Sequence, residues 1–304
     1  MLICNFVRKV DFLQKNIPTM KRIIPLLLML TLTTGAYAQI EQTEDTDNTS
    51  IDMLDNEEEA PSYDEKIFEL AQAGDPEAQL TLAKTFDFGK PEQINKEEAV
   101  KWYLAAAEQD NAEAQYLLST HFFRGDGIER SLSQAVKWCR RSAQLGDDRA
   151  QYSMGVCHAN GLGVTKSILD AVQWWRMAAD QGNADAQCEM GVYCSTDEQD
   201  PEATPEKAVE WWRMAAEQGH ARAQAFLGKS YYDGKGVKKS YTEAVKWYRL
   251  SVQKGNATAQ NNLGVCYLHG QGVEANEAEA VRLFRLSAKQ GHRLAKHNLE
   301  ALGK

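Results

Sequence analysis

The sequence lacks several features that mark common functional classes. Its 34 Lys and Arg residues are outnumbered by 43 Asp and Glu, so it has no basic surplus for binding nucleic acid. Its six cysteines contain no Cys-x-x-Cys pair, and its six histidines form no His-Glu-x-x-His or His-x-Glu frame. No stretch assembles a nucleophile, a base and an oxyanion donor. The sequence therefore predicts a protein that is not an enzyme and has no catalytic residue, no cofactor and no metal site.

A long apolar run is also missing. The run at 23–33 is shorter than the roughly 20 residues that cross a bilayer. It follows the basic start Met20-Lys21-Arg22 and precedes Ala36-Tyr37-Ala38, which fits a small-x-small cleavage site. Residues 1–38 are therefore predicted to be a leader with a signal peptide that truly starts at Met20, and the protein is predicted to be periplasmic or extracellular, with no stable membrane span. Retention of the segment as an uncleaved anchor is the alternative.

Basic residues are absent from the next segment. Positions 39–65 hold eleven Asp and Glu and no Lys or Arg. Such a segment cannot bury enough apolar surface to offset its conformational entropy, so residues 39–63 are predicted to form an acidic, disordered tether. The remaining residues, 64–304, are predicted to form the folded domain. From residue 66 onward the net charge is −2, which is nearly neutral.

The folded domain is built from a repeat. An Ala recurs at positions 78, 114, 150, 186, 223, 259 and 295, and a Gln follows the first six of these. The steps are 36 residues long, except for one step of 37. A second Ala, followed by Val, recurs at positions 99, 135, 171, 208, 244 and 280. Six copies at one fixed period predict a solenoid.

Each copy is predicted to be a pair of helices. In the first helix, a small residue stands five positions after the repeat Ala, and it is Gly at 155, 191, 228 and 264. Because Gly weakens a helix by about 1 kcal/mol relative to Ala, these glycines predict that a neighbouring helix backbone passes too close for a side chain. The second helix carries a Trp with a bulky neighbour, as in Trp211-Trp212, and is followed by a Gly in the left-handed conformation, which Asp110 replaces once.

Two short motifs have the appearance of phosphate-binding loops. Gly228-Lys229-Ser230 falls inside a predicted first helix, and the Gly that a Walker loop needs five residues earlier is Ala223. Gly234-x-Gly236 recurs at the same place in three other repeats. The sequence therefore predicts that these motifs are structural and bind no phosphate.

The segments AQNNLGVCYLHGQGV (259–273) and AVEWWRMAAEQGH (208–220) show the pattern most fully. They resemble the Sel1-like repeat family, a longer relative of the tetratricopeptide repeats, and the resemblance extends from Gly74 to the C-terminus. It implies an all-α, right-handed superhelical solenoid of about six helix-pair repeats with a half-repeat cap at each end. It also implies a scaffold or adaptor with no chemistry of its own. A branch of the family staples its helices with disulfides, but its cysteine positions correspond here to Ala143 and Gln151.

By the same resemblance, the first helix of each pair lines the concave face. The exposed positions then fall two, six, nine and ten residues after the repeat Ala. The candidates for contact with a protein or peptide partner are Tyr116, Phe123, Tyr152, Val156, Asn160, Val192, Lys229, Tyr232, Asn261, Val265, Leu268 and His269. Packing between neighbouring first helices is the alternative interpretation of these positions.

Repeat four departs from the pattern. Its segment CSTDEQDPEATPEKA (194–208) lacks the Gly-x-Gly turn and carries one extra residue, so it is interpreted either as a partner-specific loop or as a neutral insertion. Cys157 could form a disulfide with Cys139 or with Cys194, although small buried thiols are the favoured interpretation. The sequence thus predicts an exported scaffold that binds a protein or peptide. An envelope hydrolase acting on peptidoglycan or a related substrate, and a purely structural spacer, are the alternatives.

Overall fold

Fourteen α-helices and one short 3-10 turn form the part of the chain that the computed structural model describes, residues 64–197 and 199–304. No strand occurs within these residues. The predicted leader 1–38 and tether 39–63 lie outside them. The helices are α1 Glu65–Gln72, α2 Pro76–Phe88, α3 Lys96–Glu108, α4 Ala112–Arg124, α5 Leu132–Gln144, α6 Asp148–Asn160, α7 Ile168–Asp180, α8 Ala184–Thr196, α9 Pro205–Glu217, α10 Ala221–Asp233, α11 Tyr241–Gln253, α12 Ala257–His269, α13 Glu277–Lys289 and α14 Arg293–Ala301.

Capping side chains set the helix boundaries. Every helix from α2 to α13 has 13 residues. Each of these begins after a residue whose side chain accepts a hydrogen bond from a free N–H of the first turn, such as Asp147 before α6 and Ser167 before α7. Most second helices are followed by a Gly with positive φ, and Asp110 adopts φ 60° in its place. The predicted role of Asp110 is confirmed.

The helices pack in the order of the chain. Each one packs against the helix before it and the helix after it, which is the arrangement of a solenoid. The even-numbered helices α2 to α12 are the first helices of the six repeats, and the odd-numbered helices α3 to α13 are the second. Helix α1 is a lone second helix at one end and α14 a lone first helix at the other. The predicted all-α solenoid with a half-repeat at each end is confirmed.

In repeats three to six, an aromatic ring of the second helix packs against a glycine of the first helix. A Cβ atom added to Gly191 would lie 2.4 Å from the ring of Trp212, and one added to Gly228 would lie 2.7 Å from the ring of Tyr248. The predicted close approach to these glycines is present, but the approaching group is not a helix backbone. The closest atoms belong to an aromatic ring of the second helix. The same arrangement joins Gly155 to Trp175 and Gly264 to Phe284.

Glutamine side chains link successive repeats. The Gln after the repeat Ala is buried, and in five repeats its Nε2 donates to a carbonyl of the preceding helix, as Gln151 does to Ala143 O at 3.2 Å. In repeats one, three, four and six, a second Gln at the end of the second helix donates to the Oε1 of this first Gln, as Gln181 does to Gln151 at 2.7 Å. Leu145 occupies this second position in repeat two, and Gln115 Oε1 is left buried without a partner.

The glycine-rich motifs have structural roles. Gly228, Lys229 and Ser230 lie inside α10, as predicted. Gly236 has φ 71°, and a Cβ atom there would lie 2.1 Å from the carbonyl oxygen of Pro205, so only glycine lets this turn rest on the start of the preceding second helix. The prediction of a structural turn is confirmed.

The described cysteines are free thiols. Cys139, Cys188, Cys194 and Cys266 are buried and Cys157 is half-buried, so neither of the two disulfides considered above joins them. Burial raises the pKa of Cys139 and of Cys188 to about 12. Within the described residues, no helix combines the length and the hydropathy needed to cross a membrane.

Candidate partner-binding face

The first helices present one continuous face, here called the first-helix face. It is formed by residues one position before and three, six and ten positions after each repeat Ala, which share one side of an α-helix. Salt bridges connect this face from one repeat to the next: Lys84 Nζ lies 2.9 Å from Glu113, and Arg149 lies 3.4 Å from the same carboxylate. The first helices are therefore aligned side by side, and a partner could contact several of them at once.

The candidates at positions six and ten belong to this face. Asn160, Lys229 and His269 are exposed. Val156, Val192 and Val265 are half-buried at the same height in three repeats. Solvent reaches all six of these side chains, so they stay candidates for contact with a partner.

Position two is covered by the next first helix. Asn261 is buried, with 4% of its surface exposed, and its Oδ1 accepts a hydrogen bond from Asn298 of α14 at 2.9 Å. The expectation that Asn261 is exposed is therefore wrong. Tyr116 is half-buried beneath the Arg149 guanidinium, which lies 4.7 Å from its ring centroid, and Tyr152 is half-buried against the core of repeats three and four. Burial raises the pKa of both phenols.

Position nine lies at the edge of the first-helix face. Phe123 is 37% exposed, with the Arg130 guanidinium 5.8 Å from its ring centroid. Tyr232 is half-buried, and its hydroxyl donates to Gln271 at 2.6 Å. Leu268 is half-buried against the C-terminal core cluster. The twelve candidates thus do not form one patch.

Two cavities open beside each other where repeat four meets its neighbours. The repeat-five cavity, of about 240 Å³, lies between α8, the start of α9 and α10. The repeat-four cavity, of about 570 Å³, lies between α7, α8 and the start of the atypical loop. Val192 and Thr196 line both of them, so the two cavities are adjacent. Of the twelve candidates, Val192 and Lys229 are the two that the structure brings together here.

The floor of the repeat-five cavity is apolar and rigid. The rings of Trp212 and Phe226 stack with centroids 4.9 Å apart, and Trp212 Nε1 donates to the carbonyl of Cys188 at 3.3 Å. Lys229 and Lys235 stand at its rim, and Lys229 forms a salt bridge of 2.7 Å with Asp233. Sequence reasoning missed Phe226, which lies three positions after the repeat Ala. The same position holds polar residues in four of the other five repeats. An aromatic residue at a position that is mostly polar was the sequence signal that could have identified Phe226.

The atypical loop of repeat four is shaped by its own hydrogen bonds. The Tyr193 hydroxyl donates to Asp200 at 2.8 Å, and Asp197 accepts from the backbone N–H groups of Gln199 and Asp200. Burial and the neighbouring Asp200 raise the pKa of Tyr193 to about 12. Asp197 and Gln199 also line the repeat-four cavity. The loop therefore forms part of the wall of the repeat-four cavity.

A buried polar cluster joins repeats one and two. Asp87 and His121 are each 4% exposed, and Asp87 Oδ2 lies 3.1 Å from His121 Nε2 and accepts a hydrogen bond from the Tyr103 hydroxyl at 3.1 Å. His121 Nδ1 lies 2.8 Å from the carbonyl oxygen of Asp126. Because both ring nitrogens of His121 already have partners, neither is free to act as a base toward a substrate. In the described residues, no three His, Cys, Asp or Glu side chains come together as a metal site.

The comparisons with known proteins agree with this architecture. The Sel1 repeat model matches residues 76–111, 112–147, 148–183, 184–220, 221–256 and 257–292. These six matches cover more than half of the chain and contain the one step of 37 residues in repeat four, as the sequence predicts. No curated protein matches the chain significantly.

Two solved structures are similar to most of the folded part. A protective antigen of uropathogenic Escherichia coli strains, described as displaying an SLR fold, is 32% identical, with a TM-score of 0.69 over 77% of this chain and 50% of that one. A Sel1 repeat protein from Oxalobacter formigenes is 30% identical, with a TM-score of 0.64 over 73% of this chain and 95% of that one. The present chain therefore spans about half the length of the E. coli protein.

Proposed function

Because this chain belongs to the Sel1 repeat family, we propose that it acts as an exported scaffold or adaptor that binds a protein or peptide partner on the first-helix face. The observation that carries the proposal is the pair of adjacent cavities that share Val192 and Thr196. Solenoids of paired helices commonly serve as interaction scaffolds, because their stacked repeats present an extended surface.

The dimensions of the repeat-five cavity favour one anchoring side chain over a whole small molecule. At about 240 Å³, the repeat-five cavity is smaller than the roughly 300–1,000 Å³ of typical ligand pockets. It suits one anchoring side chain, with the stacked rings of Trp212 and Phe226 as an apolar contact. The adjacent repeat-four cavity offers a second recess to the same segment. Two recesses side by side suit an extended chain that crosses α8.

A photo-crosslinking residue at Thr196 tests where the partner binds. Thr196 is exposed at the rim of both cavities, whereas Gln173 is exposed on a second helix, α7. We expect benzoylphenylalanine at position 196 to form adducts with a protein in native extracts, and the same residue at position 173 to form none. Replacing Phe226 with Ala should reduce the adducts at least about tenfold, as loss of an aromatic anchor does.

The matched pair of positions makes the outcome decisive. Equal adduct formation at positions 196 and 173 would contradict a specific first-helix face. If neither position gives adducts while the protein stays folded, the scaffold proposal fails and a structural spacer becomes the better account. Circular dichroism of both labelled proteins establishes that each is folded.

Export is the second element of the proposal. The sequence supports it through the basic start, the apolar run and the small-x-small site that ends at Ala38. The similarity to a protein described as a protective antigen also fits a chain that leaves the cytoplasm. We expect N-terminal sequencing of protein purified from its native cells to begin at Gln39. An intact Met1 or Met20 would rule out cleavage at this site.

A further inference from the structure

The charge of the folded part is divided along the solenoid. Residues 66–220 carry 15 Lys and Arg against 25 Asp and Glu, a net charge of −10. Residues 221–304, which form repeats five and six and the C-terminal half-repeat, carry 14 Lys and Arg against six Asp and Glu, a net charge of +8. The near-neutral total for the domain conceals this division. The repeat-five cavity lies where the two parts meet.

Lysines are concentrated in the turn beside that cavity. The turn between α10 and α11 contains Lys235, Lys238 and Lys239, and Lys235 lines the repeat-five cavity. The position of Lys235 is occupied in the other Gly-x-Gly turns by Asp126, Leu162 and Gln271. Lys235 forms no salt bridge with any residue that the structure describes. A cationic group therefore stands at the rim with no ion-pair partner among residues 64–197 and 199–304.

The aromatic floor has basic neighbours as well. The Arg222 guanidinium lies 5.3 Å from the ring centroid of Phe226, and Lys229 stands on the next turn of the same helix. Asp233 is the carboxylate that lines this cavity, and it is already paired with Lys229. An incoming carboxylate could therefore pair with Lys235, because the one carboxylate that the structure shows lining this cavity already has Lys229 as its partner.

We propose that the repeat-five cavity binds an acidic peptide segment, with an apolar side chain in the cavity and flanking carboxylates on Lys235 and the lysines beside it. This inference rests on the proposed function and names the chemistry of the partner at the same site. Opposite charges around an apolar anchor provide specificity and faster association, while burial of the anchor provides most of the affinity.

A protein segment fits these features better than nucleic acid. Within residues 66–304 the basic surplus is confined to the C-terminal part, and the adjacent repeat-four cavity is lined by Glu189 and Asp197. A polyanion that crossed both cavities would meet those carboxylates. A short acidic segment needs only the lysine-rich side, and its apolar residue uses the floor of Trp212 and Phe226.

The experiment measures fluorescence anisotropy with labelled peptides and the full mature chain. The probes are a short peptide with Leu between Asp and Glu residues, the same peptide with Ser and Asn in place of the acidic residues, polyglutamate, and a single-stranded oligonucleotide. We expect the acidic peptide with the Leu anchor to bind at least about tenfold more tightly than each of the others at physiological ionic strength.

One variant and one matched control isolate the rim. Lys235→Glu should weaken binding of the acidic peptide about tenfold. It should fold normally, because Asp126 shows that an acidic residue is compatible with this turn. Lys289→Glu makes the same charge change on an exposed position of α13 that does not line the cavity, and it should leave the affinity within about twofold.

Each outcome has one meaning for the inference. Equal binding of the neutral and acidic peptides, equal loss in both variants, or no binding of any peptide would overturn the acidic-partner inference. Equally tight binding of polyglutamate or the oligonucleotide would replace it with a general polyanion surface. None of these results touches the proposed function, which the crosslinks from position 196 test separately.

Discussion

Replacing Gly228 with Leu is expected to lower the free energy of unfolding by about 3 kcal/mol or more. A Cβ atom at this position would already lie 2.7 Å from two ring carbons of Tyr248, and Leu adds three further carbons. Tyr248 is 1% exposed and packs in the core of repeat five, so its ring has no free space to enter. Urea unfolding followed by circular dichroism measures the loss.

The neighbouring residue provides the control. Lys229 is exposed, and its salt bridge to Asp233 links two residues on the surface of one helix. Lys229→Ala should therefore change the free energy of unfolding by about 0.5 kcal/mol or less. Gly228→Ala should have an intermediate effect, because Ala83 occupies the equivalent position opposite Tyr103 in repeat one. A Gly228→Leu protein as stable as the parent would show that the ring yields and that the glycine is not required for packing.

The helices could be predicted from the sequence because each repeat carries its own local signals. The capping residue, the repeat Ala and the final Gly recur at a fixed period, and each acts on the backbone within a few residues. These local effects define helices of 13 residues and the alternation of first and second helices along the chain. The register of six copies then leaves a solenoid as the one arrangement that buries every repeat.

The contacts of individual side chains could not be predicted in the same way. Spacing showed that something large approaches Gly191, but the direction of the Trp212 ring decides that it is an aromatic ring and not a backbone. The exposure of Asn261 likewise depends on how closely α14 lies beside α12. Such distances are set by packing between different helices, within one repeat for Gly191 and between neighbouring repeats for Asn261.

The two cavities show where irregularity in the sequence carries information. Val192 was predicted as a candidate because it occupies a repeated position, whereas Phe226 and Lys235, which line the same cavity, differ from their counterparts in most other repeats. A repeat average conceals both of these residues. The residues that distinguish one repeat from the next are therefore the better guide to a site, since the shared residues are already used in packing.

Asp87, in repeat one, also differs from its counterparts in other repeats, and its surroundings could not be predicted from the sequence. It stands nine positions after the repeat Ala, where other repeats have Phe123, Tyr232 and Leu268, and the structure buries it. Its side-chain partners come from two helices: Lys96 and Tyr103 belong to α3, and His121 belongs to α4. Although burial alone would raise the pKa of Asp87, the hydrogen bonds from His121 and Lys96 outweigh it and hold the pKa below its ordinary value of 3.8.

Replacing Asp87 with Asn is therefore expected to lower the free energy of unfolding by about 3 kcal/mol at neutral pH. The substitution removes the negative charge that Lys96 and His121 share, and it sets an amide N–H₂ group among buried donors. A carboxyl group with a lowered pKa stabilises the fold above 3.8, and this stability is lost as the pH falls through the folded-state pKa. The difference between parent and variant should therefore shrink in acid.

Urea unfolding at about pH 7 and about pH 3 measures this difference directly. The control is Asp170→Asn, which removes a half-exposed carboxylate 3.6 Å from His158 and should cost about 0.5 kcal/mol or less at either pH. A difference for Asp87→Asn that stays constant with pH would assign the effect to packing alone. No loss at neutral pH would mean that the charge of Asp87 does not stabilise the junction between repeats one and two. The expected result would show that the charge of Asp87 stabilises this junction, where Asp87 accepts the hydrogen bonds of both Lys96 and Tyr103.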